Sequence, residues 1–119
     1  MPTVLLVDVS ASLGRLVTPS DEDCTRLQLV RTGLTHFLQR LENEHPEESA
    51  CLITYSSTTE VVCPFTRDFG LLIDAIDELE LQDKTNLANG LDRTKKYVLK
   101  SCGADSLVRI IVVTDGTPN

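Results

Sequence analysis

Asp8, Ser10 and Ser12 stand at alternate positions in the stretch Thr3 to Ser12, TVLLVDVSAS, and between them they offer only oxygen ligands. One carboxylate and two hydroxyls that a single short turn can point at one spot suit a small hard cation. Donor type and spacing therefore point to Mg²⁺ or Mn²⁺. The run that must position them is Val4 to Val7, apolar throughout and without polar alternation. Such a run predicts a strand buried on both faces, as in a parallel sheet covered by helices. Asp8 then falls at the strand's carboxyl end, where open α/β sheets bind ligands because the loops leaving the strand tips converge there.

A second acid follows a second strand of the same kind. Leu107 to Thr114, LVRIIVVT, runs into Asp115 and the turn residue Gly116. If the two strands lie side by side and parallel, Asp8 and Asp115 meet at one end of the sheet. Between them in sequence lies the polar loop Asp83-Lys84-Thr85-Asn86, just before a helical pattern. Its Thr85 can supply a hydroxyl from a third loop.

In order along the chain, the DxSxS motif of Asp8, Ser10 and Ser12, the threonine Thr85, and the TDG turn containing Asp115 resemble the metal-ion-dependent adhesion site of von Willebrand factor A domains. The resemblance implies a Rossmann-like α/β fold in which the two serines bind the metal directly and the threonine and aspartates bind it directly or through water. It implies also that a partner's carboxylate fills the remaining position. Outside the metal motif, Gly33-Leu34-Thr35, Pro64-Phe65-Thr66-Arg67-Asp68 and Asp83-Lys84-Thr85 are similar to a nuclear branch of that family. This implies a non-catalytic scaffold of a transcript-processing complex, with sister subunits as partners. The alternative is another intracellular adaptor of the same family. In the family two more strands with their helices follow the TDG strand, whereas this sequence ends at Asn119. The expectation is one domain over residues 1–119, incomplete at its C-terminus, with an open edge on its last strand.

Composition narrows the classes. A chain of 119 residues, 41% apolar and 24% charged, has room for one domain with a single core. No apolar run approaches the ~20 residues that span a bilayer. The first strand begins close behind Met1, which leaves no space for a cleavable leader, so an intracellular protein is expected. Cys24, Cys51, Cys63 and Cys102 show no CxxC spacing, which argues against zinc and for small reduced residues. Cys51 and Cys63 fall in neighbouring predicted strands and could approach each other. The net charge of −7 opposes direct nucleic-acid binding, which depends on neutralising phosphates.

The remaining elements follow from periodicity. Ser20 and the acidic run after it predict a capped helix from about Asp23 to Glu44, with Leu27, Val30, Leu34, Phe37, Leu38 and Leu41 on one stripe. His36 and His45 are expected at the surface. Ala50 to Tyr55 and Glu60 to Cys63 predict an antiparallel hairpin ended by Pro64. Asp68 can cap a helix with Leu72, Ala75, Ile76 and Leu79 inward, and Asp77 to Glu80 reads as its solvated end. A third helix after Asn86 carries Leu87, Leu91, Thr94 and Val98 at helical spacing, with Lys95, Lys96 and Lys100 toward its C-terminal dipole. Right-handed crossovers allow the last strand to join either edge. Only a return to the far side of the first strand brings Asp115 beside Asp8, so the predicted order is 3-2-1-4, mostly parallel, with helices on both faces.

Catalysis is the weaker reading. A haloacid-dehalogenase-like phosphatase also begins with an apolar strand ending in Asp, but it needs a second acid two residues later to protonate the leaving group. Here that position is Ser10, whose hydroxyl is no acid near neutral pH. No glycine-rich phosphate loop or Ser/His/Asp set accompanies it.

Overall fold

The computed structural model describes residues 1–14, 25–82, 87–103 and 107–114, with the backbone alone for residues 12 and 13. β1 (Thr3–Asp8) is buried at every position because it has a neighbour on each side and a helical layer over each face. It pairs in parallel with β2 (Ala50–Tyr55) on one side and with β4 (Arg109–Val113) on the other. β3 (Thr59–Thr66) runs antiparallel to β2 and closes that edge, giving the predicted order β3-β2-β1-β4. The reversal of strand order falls on the two sides of β1, which opens a crevice at its carboxyl end.

Strand alternation sends β1 side chains to two cores. Leu5 and Val7 meet α1 (Arg26–Glu44) and α2 (Phe69–Asp77) through Leu34, Leu38, Leu41, Leu72 and Ile76. Val4 and Leu6, with Ile53 and Tyr55, meet Tyr97 and Val98 of α3 (Leu87–Cys102) on the opposite face. Tyr97 stacks on Phe65 with ring centroids 5.5 Å apart, and its hydroxyl accepts the Phe65 N–H at 3.2 Å. The aromatic pair ties α3 to the edge strand.

Three boundaries depart from the sequence reading. α1 begins at Arg26, where the extended Thr25 caps it by accepting the Gln28 N–H, so a start near Asp23 is corrected. Ser20 to Asp23 lie outside the described residues. Pro64 does not end β3, which continues to Thr66, because register shifts opposite Ala50–Ile53 absorb the missing N–H on an edge strand. The stripe of α3 is also rotated: Leu87 and Leu91 are 41% and 42% exposed, while Gly90 and Thr94 face the sheet. A Cβ on Gly90 would lie 3.0 Å from the Tyr55 Cβ, so α3 approaches β2 closely only along its glycine line. Asp68 caps α2 as expected, accepting the Leu71 N–H at 3.3 Å.

Cys51 and Cys63 are buried but belong to opposite cores, so the two thiols do not pair. Burial pushes the Cys51 thiol up to about 12, and the sulfurs of Cys102 and Cys63 add to the shift. An unfolded chain ionises this thiol near its ordinary 9.0, whereas the folded chain keeps the proton. The associated stability is therefore complete below pH ~9 and is lost as pH rises toward 12. Chemical denaturation at pH 8 and pH 10.5 checks this. The wild type should lose more stability over that interval than Cys51→Ala, and equal losses would contradict the assignment.

Candidate metal centre at the strand tips

Asp8 is fully buried at the end of β1, with each carboxylate oxygen engaged. Oδ1 accepts the Ser10 N–H at 2.8 Å, an Asx turn that folds the chain back over the strand tip. Oδ2 accepts the Thr114 hydroxyl at 3.0 Å, which ties the end of β4 to the end of β1. The backbone of Val9 holds the turn from two sides: its N–H donates to the Tyr55 carbonyl at 3.0 Å and its carbonyl accepts the Gln82 N–H at 2.5 Å. Ser10 is buried and forms a parallel bridge with Gln82. Three chain segments thus meet at one point: the tip of β1, the segment leading toward Thr85, and the end of β4.

Of the five residues expected at the site, Asp8 and Ser10 lie together in the turn at the tip of β1. Ser12 lies in the 3₁₀ turn Ala11–Gly14, for which its backbone alone is described, and Thr85 and Asp115 lie outside the described residues. Thr114 and Gln82 were not anticipated. A hydroxyl directly before the acid at a strand end was the available signal for Thr114; nothing in the sequence singles out Gln82, whose contribution is a backbone N–H.

The donor set suits a hard cation. Among the described residues both partners of Asp8 are neutral donors, and a buried carboxylate with only neutral partners is costly unless a positive charge joins it. A carboxylate has about four lone-pair sites, so two hydrogen bonds leave capacity on the same oxygens. No Cys or His belongs to the set, which fits Mg²⁺ or Mn²⁺ and not zinc. His36 and His45 are exposed. His45 does gather Glu47 and Glu48 in the turn after α1, with His45 Nδ1 3.7 Å from Glu47. This exposed turn precedes β2, at the opposite end of the sheet from Asp8.

Residues 3–117 match the family model of the von Willebrand factor type A domain, and the chain belongs to that family. It is 34% identical over 117 residues to Integrator complex subunit 14 of Xenopus tropicalis, and 33% identical over the same length to that of Homo sapiens. Each comparison covers 98% of this chain and 23% of the relative, so the chain spans about a quarter of the length of these relatives. Among solved structures it resembles the vWF domain of the type V pili tip protein Mfa5 from Porphyromonas gingivalis. That match has a TM-score of 0.79 at 21% identity and covers 98% of this chain and 38% of that one. It resembles the SpRpn10 VWA domain with a TM-score of 0.74 at 19% identity, covering 98% and 60%. At these identities the two structures speak for the fold.

Proposed function

We propose that this chain acts by holding partners and has no turnover of its own, as a scaffold module of an Integrator-type nuclear complex that processes RNA polymerase II transcripts, snRNA among them. The observation that carries the reading is similarity to Integrator complex subunit 14 across 98% of the chain, joined to the Asp8–Thr114 contact at the strand tips. Ser10, Ser12 and Thr85, supported by Asp8 and Asp115, would hold Mg²⁺ or Mn²⁺. When bound, the ion supplies a positive charge that a partner's carboxylate can complete. Asp8 orients the Ser10 turn through its Oδ1, and Thr114 fixes the other oxygen, so Asp8 and Ser10 are held at the strand tip without a partner. Ser10 occupies the place where a phosphatase would need an acid, which favours binding over phosphoryl chemistry. The charge of −7 favours protein partners over RNA or DNA. No helix among the described residues is long and apolar enough to cross a membrane.

Tagged full-length protein containing this domain should co-purify from nuclear extract with other Integrator subunits and show no phosphatase activity in Mg²⁺ buffer. A contact bridged by the metal should be lost both in EDTA and in an Asp8→Ala, Asp115→Ala variant, whereas a contact through another face should survive both. Recovery solely with cytoplasmic or membrane partners would favour the other adaptors of the family instead.

A further inference from the structure

The eight positions from Arg93 to Lys100 hold four of the chain's eleven Lys and Arg residues and no acid, in a chain whose net charge is −7. The dipole of α3 accounts for one of them. Lys100 lies in the last turn of the helix, whereas Arg93 and Lys96 lie more than a turn before its end at Cys102, and the dipole's effect falls off within that turn. Nor do the chain's own acids account for the rest. Lys96 meets Asp92 at 3.1 Å in a pair exposed on both sides, which holds it weakly, and among the described residues Arg93 and Lys100 meet no carboxylate.

Arg93, Lys96 and Lys100 stand at i, i+3 and i+7, so they share one stripe of the helix that runs for roughly 10 Å. This stripe borders a groove of about 260 Å³ whose other wall is Ile53 and Val61. The sheet register sets that wall. Ile53 pairs with Val61, opposed residues share a face, and Ile53 belongs to the core that Tyr97 of α3 packs against. β3 is the outer strand, so Val61 stays 38% exposed at the margin of the helix's cover. No Asp or Glu is among the described residues that line the groove.

Charge and shape together select an occupant. A row of cations beside an aliphatic wall matches an extended acidic segment, in which acids at i and i+2, about 6.7 Å apart, turn toward the helix while the residue between them turns toward the valine. Nucleic acid fits less well. Single strands bind on successive stacking rings, and Tyr97, the one aromatic residue among the described residues lining this groove, already stacks on Phe65 at 5.5 Å. We propose that the groove between α3 and β3 docks an extended acidic segment of a partner protein, with Arg93, Lys96 and Lys100 as counter-charges and Ile53 and Val61 as the apolar contact. None of Asp8, Ser10, Gln82 or Thr114 lines this groove, so the contact is independent of the metal reading.

The test is amide NMR titration of the ¹⁵N-labelled protein in EDTA, which keeps a divalent cation at the strand tips out of the comparison. The probe is acetyl-Gly-Glu-Val-Glu-Gly amide, set against its Gln-Val-Gln and Glu-Ser-Glu counterparts and against a short oligothymidylate. The acidic peptide should shift the amides of Val61 and of Arg93 to Lys100 saturably, Glu-Ser-Glu should bind several-fold more weakly, and Gln-Val-Gln should leave them in place. Arg93→Gln and Lys100→Gln should each weaken binding by about two- to fivefold. Lys95→Gln removes the same charge from the same helix, but Lys95 lies about 200° around the axis from Arg93, so its loss should weaken binding less than either. Asp8→Asn should bind like the wild type. Absence of saturable shifts, an equal response to either counterpart peptide, equal losses from Lys95→Gln and Arg93→Gln, shifts centred on the Asp8 turn, or tighter binding of oligothymidylate than of the peptide would each overturn the proposal.

Discussion

Asp8→Asn is expected to leave the domain folded while abolishing its thermal response to Mg²⁺. The amide has the shape of the carboxylate it replaces. Its Oδ1 can accept the Ser10 N–H, and its Nδ2 can donate to the Thr114 hydroxyl, which only has to rotate from donor to acceptor. The Asx turn and the tie between β1 and β4 therefore survive. What is lost is the negative charge in a fully buried position whose partners among the described residues are both neutral. Without metal, removing that charge should cost nothing and can stabilise the fold, because an uncompensated buried carboxylate is unfavourable. With metal the difference is large. A ligand that binds only the folded state stabilises it by ~2.7 kcal/mol at a hundred times its Kd, which for a domain of this size raises Tm by roughly 8–16 °C. Calorimetric scans of both proteins with and without Mg²⁺ make the comparison. A wild type indifferent to Mg²⁺, or a variant with the full shift, would remove the metal from the proposed function.

The sequence carried the sheet and one side of the site with little ambiguity, for a physical reason. A strand buried on both faces must be apolar throughout, so Val4 to Val7 stand out without any partner being known; Ile110 to Val113 carry the same apolar signal although Ile110 and Val112 are exposed on an edge strand. Strand order followed from chemistry rather than from pattern. The return of the last strand to β1 was inferred from the need to bring two acids together, and the Asp8–Thr114 hydrogen bond shows that the strand tips do meet. Helix starts were less legible, because Ser20 and Thr25 are both good caps and the acids between them favour either choice. The pairing of Thr54 with Glu60 was not legible either, because it depends on register shifts between β2 and β3, and bulges leave no fixed mark in a single sequence.

The orientation of α3 is where periodicity misled, and a matched set of substitutions turns that into a measurement. Leu72 of α2 and Leu91 of α3 both occur at helical spacing within amphipathic patterns, so the sequence gives equal reason to expect each in the core. In the structure Leu72 is fully buried against the sheet, whereas Leu91 is 42% exposed. Leu72→Ala should then cost about 2–5 kcal/mol, from lost transfer energy and the cavity left behind, a large share of the ~5–15 kcal/mol that holds a domain together. Leu91→Ala should stay within about 1 kcal/mol, because the leucine is only partly buried and alanine is the best helix former. Thr94 completes the set. It is fully buried, and among the described residues its hydroxyl has no hydrogen-bond partner. Thr94→Val keeps the shape and removes an unsatisfied polar atom, so it should be neutral or stabilising by up to ~1 kcal/mol. Urea denaturation with a common m-value gives all three differences. If Leu91→Ala cost as much as Leu72→Ala while Thr94→Val were destabilising, α3 would have to be turned so that its leucines and not Gly90 face Tyr55, and the close approach of that helix to β2 would be wrong.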